Sequence, residues 1–172
     1  MITTSLITFA DFEQMPYAPG KQELIDGELI EMPPAKHSHM HIAKRIFVLL
    51  LSGATGKMAH IEMGYRIGGG WLVPDVSVSR PNQEITDDYL IGSPSLAVEV
   101  LSPCNSASQI ERKLSLYFAE GAEEIWVINP SKRTMSVYCT GEEGVLRTTV
   151  RERHESKFGA IALAALFDSE SA

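Results

Sequence analysis

Residues 71–78 of the chain read W-L-V-P-D-V-S-V, residues 95–103 read S-L-A-V-E-V-L-S-P, and residues 108–118 read S-Q-I-E-R-K-L-S-L-Y-F. The first two segments are short apolar runs typical of buried strands, and each carries one carboxylate, Asp75 or Glu99. The third has helical periodicity and places Lys113 at the border of its apolar stripe. A buried carboxylate is costly unless a cation or a donor compensates it. Two such acids followed by a lysine therefore indicate a divalent-metal site.

Each of these residues also has a purely structural interpretation. Glu99 could end its strand in an ion pair with an arginine, and Lys113 could be a surface lysine that covers apolar surface with its stem. The apolar residues on both sides of Glu99 favour the functional interpretation, because a charge so flanked needs something to bind. For Lys113 the periodicity leaves both interpretations open.

Length and composition predict a single domain spanning residues 1–172 with a real hydrophobic core, since 44% of the residues are hydrophobic. Fifteen basic residues against 22 acidic ones give a formal charge of -7, so nucleic-acid binding would need a local basic patch or a metal. No uncharged apolar run approaches the ~20 residues of a membrane span. We expect a cytoplasmic location and no membrane partner.

The order of predicted elements indicates an α/β or α+β fold, with a mixed central sheet flanked by helices. Capping boxes at Thr8–Asp11 and Ser108–Glu111 predict two helix starts. The remaining predicted elements are a hairpin at 21–32, a helix at 38–53, strands at 58–67, 71–78, 96–101, 123–129, 135–139 and 145–153, and a strand or short helix at 158–167. Pro74 inside one of these strands predicts an edge or a bulge that aims the backbone toward a site.

Two further clusters are candidates for the site. Asp26-Gly27 predicts a two-residue hairpin loop, which places Glu23 and Glu28 on one face; they are either solvated charges or carboxylates that lean toward the metal. Three histidines, at 37, 39 and 41, crowd the start of the second helix. This pattern is a weak zinc signal, and a solvated helix N-terminus is the favoured interpretation. A histidine there could still meet a phosphate oxygen.

The segments P-D-V-S-V, A-V-E-V-L-S-P, E-R-K-L-S-L-Y and E-E-I-W-V-I-N-P, in this order and spacing, resemble the Uma2 family of bacterial restriction-endonuclease-like proteins. E-L-I-D-G-E-L-I-E-M-P-P and H-S-H-M-H-I-A extend the resemblance to nearly the whole chain. The family belongs to the PD-(D/E)xK nuclease superfamily. The resemblance implies a restriction-endonuclease-like fold in which Asp75 and Glu99 hold a divalent metal and Lys113 is the catalytic lysine.

The chain departs from the family pattern at two positions. The usual motif has its lysine two residues after the acid, where this chain has Leu101, so the resemblance places the lysine on the following helix at Lys113. An acid four residues before that lysine is replaced by Gln109. The resemblance also makes Glu28 or Glu23 a candidate for an additional acid, and His39 the histidine that precedes the second helix.

Such a site would hydrolyse phosphodiester bonds, which requires an activated water and positive charge near the transition state. Hard oxygen ligands favour Mg²⁺ or Mn²⁺, with the backbone carbonyl of Val100 as a third ligand beside Asp75 and Glu99. Lys113 would orient the water or neutralise the phosphate. The resulting hypothesis is a metal-dependent endonuclease acting on DNA, and by analogy a homodimer.

Two alternatives stay open. The chain could be a catalytically degenerate member of the fold that acts as a binding or assembly module, which Leu101, Gln109 and the acidic charge favour. A carboxylate-pair hydrolase acting on a glycoside is a weaker third hypothesis, because it leaves Lys113 without a role.

Overall fold

A computed structural model describes residues 6–16, 18–53, 58–103 and 105–168. The helices in these ranges are α1 (Phe9–Glu13), α2 (His37–Leu51), α3 (Ala107–Ala119) and α4 (Leu163–Phe167). The strands are β1 (Lys21–Ile25), β2 (Glu28–Met32), β3 (Ala59–Ile61), β4 (Tyr65–Ile67), β5 (Gly70–Leu72), β6 (Val76–Val78), β7 (Leu90–Ile91), β8 (Leu96–Val100), β9 (Glu124–Asn129), β10 (Thr134–Gly141), β11 (Gly144–Val150), β12 (Arg153–Ser156) and β13 (Gly159–Ala162). Among the helices described, none has the length and apolar character that crossing a membrane requires.

The strands form two mixed sheets and a separate hairpin. The larger sheet has the order β11-β10-β9-β8-β6-β3, with β8 and β9 parallel. The smaller has the order β2-β1-β5-β4-β7, with β4 and β7 parallel, and β12 pairs with β13 alone. The predicted class, an α+β fold with mixed sheet and flanking helices, is confirmed, although the sheet is divided in two.

The division falls inside two segments that the sequence pattern predicts as continuous strands, and that prediction is wrong. Residues 58–67 give β3 in the larger sheet and β4 in the smaller one, while residues 71–78 give β5 in the smaller sheet and β6 in the larger one. Glu62 has φ 48° at the first break. Pro74, which has no N–H to donate to a ladder, lies at the second. Each of these two segments therefore crosses once from one sheet to the other, and Asp75 lies at the second of these crossings.

Strand β8 separates the two hydrophobic cores, because successive side chains of a strand point to opposite faces. Leu96, Val98 and Val100 pack into the core that includes residues of α2 and α4. Ala97 packs into the core between the larger sheet, α3 and the smaller sheet. All five residues of β8 are buried, so Glu99 points into the protein and not to solvent.

Local signals position most elements correctly. The β1–β2 hairpin has the predicted register, with Ile25 opposite Glu28, and the loop residues Asp26 and Gly27 have φ 51° and 79°. The Thr8–Asp11 capping box is present. The second box is Ser106–Gln109 and not Ser108–Glu111, so α3 begins two residues earlier than predicted. The segment at 158–167 is a strand followed by a helix.

Candidate functional site

The charged residues of the site come from four elements that meet where the two sheets adjoin. Glu99 lies on β8, Asp75 on the crossing before β6, Glu23 on β1 and Lys113 on α3. Each is nearly inaccessible, with 6%, 4%, 2% and 4% of its surface exposed. The sequence-predicted trio of Asp75, Glu99 and Lys113 is thus brought to one buried region and joined by Glu23.

Lys113 is held by two carboxylates at once. Its Nζ lies 2.6 Å from Glu99 Oε1 and 2.8 Å from Glu23 Oε1. Tyr117, one helical turn further along α3, donates its hydroxyl to Glu99 Oε1 at 2.8 Å. Glu23 Oε1 also accepts the backbone N–H of Val73 at 3.0 Å. These contacts fix one oxygen of each glutamate.

Asp75 is held on the other side of the cluster by three donors. Lys21 Nζ lies 2.8 Å and His39 Nε2 3.1 Å from Oδ1, while the backbone N–H of Val100 donates to Oδ2 at 2.7 Å. Lys21 is the first residue of β1, and His39 lies in the first turn of α2. His39 therefore lies at the site, as the sequence suggested, and it contacts the carboxylate directly.

The charges determine which groups stay ionised. Burial disfavours the charge of Asp75, but Lys21 and His39 outweigh it and lower the pKa of this carboxyl. Burial also opposes the charge of Lys113, yet Glu23 and Glu99 raise its pKa above the usual range. Burial and the neighbouring carboxylates raise the pKa of Glu99. Three carboxylates face only two ammonium groups, so the cluster as a whole has an excess of negative charge when all five groups are ionised.

Tyr117 stays a phenol in this environment. Burial and the Glu99 charge raise its pKa well above the usual value, so its hydroxyl keeps the proton that it donates.

The oxygen atoms of these carboxylates are ligands of the kind that a hard divalent cation prefers, although they are not arranged as a complete coordination shell. Among the contacts of the described residues, Glu23 Oε2 and Glu99 Oε2 have no hydrogen-bond partner, although both side chains are more than nine-tenths buried. Buried oxygens without donors are suited to a cation. Within the described ranges, however, no three His, Cys, Asp or Glu side chains are already arranged around a common ion position.

Two of the secondary candidates lie away from this cluster. Glu28 is half exposed and pairs with Arg112 NH1 at 2.7 Å, so it ties the hairpin to α3. Gln109 is the N3 residue of the α3 capping box, where its side chain accepts the N–H of Ser106. Of the two hairpin acids, Glu23 is therefore the one that joins the site.

The remaining candidates have defined places. Leu101, at the usual lysine position, packs against the second core. Val100 contacts Asp75 through its N–H, and the contact of its carbonyl with a metal stays a prediction. His37 and His41 stack on each other with ring centroids 6.0 Å apart.

Two residues of the site, Lys21 and Tyr117, were missed by the sequence reasoning. Lys21 is two residues before Glu23 on a strand and so shares its face, a spacing that could have signalled the contact. Tyr117 is four residues after Lys113 on a helix, which places the two side chains on one face. Both signals are clear only once Glu23 is known to face inward.

A cavity of ≈ 400 Å³ lies next to Lys21. Its other lining residues are Ala18, Pro19, Gln22, Glu31, Met32, Pro33 and Pro34. The side chain of Lys21 is 19% exposed and that of His39 15%, against 5–8% for Asp75, Lys113 and Glu99. The cluster is therefore reached from solvent on the Lys21 and His39 side.

Comparison with known proteins gives a family and a fold. The model of the Uma2 family, described as "Putative restriction endonuclease", matches residues 9–163. Among solved structures, a chain from Anabaena variabilis ATCC 29413, titled "putative nuclease belonging to DUF820", aligns with a TM-score of 0.79 and 24% identity over 94% of this chain and 97% of that chain. No curated protein matches the chain.

The structural likeness, at this level of identity, shows a shared fold, and the fold is restriction-endonuclease-like. The family match extends from the first turn of α1 to the first residue of α4 and includes every residue of the charge cluster. The chain belongs to the Uma2 family.

Proposed function

We propose that the protein is a metal-dependent endonuclease that hydrolyses phosphodiester bonds in DNA. The observation that carries this proposal is the buried cluster in which Glu23 and Glu99 hold Lys113, Asp75 is paired with Lys21, and two carboxylate oxygens are left unpartnered within the described residues. Membership of a family described as restriction endonucleases supports the substrate class.

The roles of the residues follow from their contacts. Asp75 and Glu99 would hold Mg²⁺ or Mn²⁺, and Glu23 Oε2 is a further oxygen of the same type. The bound ion would supply a water of lowered pKa and neutralise charge that develops on the phosphate. Lys113 keeps Glu23 and Glu99 in place with two of its three N–H groups, and the third is left to orient the attacking water.

The surface offers little non-specific attraction for DNA. The formal charge is -7, and several basic residues that could contact phosphate are already engaged. Arg45 donates to the carbonyls of Ala165 and Asp168, and Arg112 binds the β1–β2 hairpin. Because phosphate contacts require free cationic groups, the metal would be part of substrate binding as well as of chemistry.

The test pairs metal binding with cleavage. Wild-type protein should bind Mn²⁺ in calorimetry and nick plasmid DNA only with Mg²⁺ or Mn²⁺, whereas Asp75→Asn and Glu99→Gln should lose both activities. Glu28→Gln is the matched control, because it removes a carboxylate that lies outside the cluster. Cleavage that persists in Glu99→Gln, or without any metal, would contradict the mechanism.

One observation favours a second function, a binding or assembly module without catalysis. Both oxygens of Asp75 already accept hydrogen bonds from protein donors, so this carboxylate is compensated without a metal. In that case the wild-type protein would bind no Mn²⁺ and cut no DNA, while its unfolding would still be cooperative and sensitive to Lys113→Met.

A further inference from the structure

The two lysines of the cluster differ in their freedom to move. Lys113 has a 6% exposed side chain and ion pairs with two glutamates. Lys21 has a 19% exposed side chain, a single carboxylate contact at Asp75 Oδ1, and a cavity of ≈ 400 Å³ next to it. A lysine stem carries several rotatable bonds, and Lys21 itself lines the cavity, so its ammonium can leave Asp75 by rotation of the side chain.

Asp75 leaves little room for an additional ligand. A carboxylate has about four lone-pair positions, and three are occupied by Lys21, His39 and the N–H of Val100. The amide belongs to the backbone of β8, and His39 contacts Asp75 through a short side chain on α2. Of the three donors, only the ammonium of Lys21 is at the end of a flexible side chain.

The net charge of the buried groups also indicates that Lys21 and a divalent cation exclude one another. Glu23, Asp75 and Glu99 together with Lys113 carry two excess negative charges, which a divalent cation neutralises. If Lys21 stayed in place beside that cation, the cluster would instead carry an excess positive charge. Uncompensated charge in a buried site is costly, so metal and lysine oppose one another.

We propose that Lys21 is an exchangeable counter-ion, which occupies the metal position on Asp75 in the metal-free protein and turns into the adjacent cavity when a divalent cation binds. This inference rests on the proposed function, because it takes Asp75 as a metal ligand. In the metal-free resting state the site is then closed at Asp75 by Lys21, which explains why both oxygens of a metal-binding acid already accept hydrogen bonds.

The first experiment measures the accessibility of Lys21 in the unaltered full chain. Acetylation by acetic anhydride, followed residue by residue by mass spectrometry, should be slow at Lys21 in EDTA and severalfold faster at a Mg²⁺ concentration that calorimetry shows to be saturating. Lys157, whose side chain is 59% exposed, is the internal control and should react equally in both conditions. Unchanged or slower labelling of Lys21 at saturating Mg²⁺ would overturn the exchange.

The second experiment removes the competitor. Lys21→Met should bind Mn²⁺ about tenfold more tightly than wild type, whereas Lys157→Met should not change the affinity. If Mn²⁺ binds to Lys21→Met but not to the wild-type protein, the result also supports the exchange, with Lys21 as the dominant competitor. Equal affinities together with a protected Lys21 contradict the exchange and leave the proposed function standing. Absence of binding in both proteins contradicts exchange and function together, and if Lys21→Met does not fold, the labelling result decides.

Discussion

The stability of this fold depends on one buried lysine, Lys113, which lies between two carboxylates. Lys113 compensates Glu23 and Glu99, both more than nine-tenths buried, so its ammonium cannot be removed without exposing two glutamates to each other. Removing one partner of a buried ion pair costs much more free energy than replacing the whole pair by apolar residues, because the remaining charge is left buried without a counter-ion. Any catalytic use of Lys113 is therefore combined with a structural one.

We predict that Lys113→Met lowers the free energy of unfolding by about 3–5 kcal/mol, since it leaves two buried carboxylates without a counter-ion. Urea unfolding at neutral pH measures the change. The control is Lys157→Met, which breaks the exposed pair with Glu123 and should cost less than about 1 kcal/mol. Equal losses in the two variants would mean that the buried pair is no stronger than a surface one.

The same contacts qualify the use of Lys113 variants as tests of mechanism. A loss of cleavage in Lys113→Met could come from lost stability, whereas Glu99→Gln keeps the side-chain shape and the hydrogen bond from Tyr117 can be accepted by the amide oxygen. The glutamine variant is the more informative one.

At the scale of elements, the β1–β2 hairpin is the part that carries Glu23 and Lys21 into the cluster. Its loop depends on Gly27, which has φ +79°, and a Cβ there would lie 3.0 Å from Leu6 Cβ and 3.2 Å from the carbonyl of Ile7. A side chain is strained in this region of backbone conformation whatever the space.

We predict that Gly27→Ala destabilises the protein by about 1–3 kcal/mol through its left-handed backbone and the contact with residues 6–7. Gly69→Ala serves as control, because a Cβ there meets nothing within 4 Å; it should be neutral or gain about 0.4–1 kcal/mol. Thermal unfolding of the two variants gives the comparison. A neutral Gly27→Ala would show that the loop relaxes to another turn.

Elements whose signal is local could be predicted from the sequence. The register of the hairpin follows from Asp26-Gly27 alone, and the burial of Glu99 follows from the apolar residues on both sides of it. The start of α3 was misplaced because Ser106 and Ser108 each begin a capping-box pattern, and only the packing of the whole helix selects between them.

Features that depend on distant contacts could not be predicted. The crossing at residues 61–65 is marked only by Glu62 and Gly64, and Pro74 predicts a bulge in the crossing at 72–76, but neither signal shows that the chain passes to another sheet. The hairpin pattern places Glu23 and Glu28 on the same face and cannot show which of them joins the site. The structure distinguishes them by their partners on α3, since Glu28 pairs with Arg112 and Glu23 with Lys113. The contact of Lys21 with Asp75 joins residues 54 positions apart, for which the sequence has no local signal.

For the whole molecule, the location of the charge cluster links function to stability. The cluster connects β1 of the smaller sheet, β8 of the larger one, and helices α2 and α3, so its ion pairs join elements that belong to different layers. A change in the ionisation of one member is therefore transmitted to the packing of both sheets. Acid is the simplest way to cause such a change.

Asp75 gives this acid response a definite sign. Although burial opposes its ionisation, Lys21 and His39 lower its pKa in the folded protein, whereas an unfolded chain has a value of about 3.9. The unfolded state therefore binds the proton first, and the stability that Asp75 contributes is complete above pH ~4 and lost as pH falls through its folded pKa. Glu99 acts in the opposite sense, because its folded pKa is raised.

We predict that wild-type protein loses stability steeply as pH falls below about 4, and that Asp75→Asn shows a flatter profile in the same range because it has no proton to take up at that position. Urea unfolding between pH 7 and pH 3, in EDTA to exclude metal, measures both curves. Asp168→Asn, which alters an exposed pair with Arg133, should keep the wild-type profile. Parallel curves for wild type and Asp75→Asn would mean that Asp75 is not held as an ion pair in solution, and the closed resting state of the site would then be wrong.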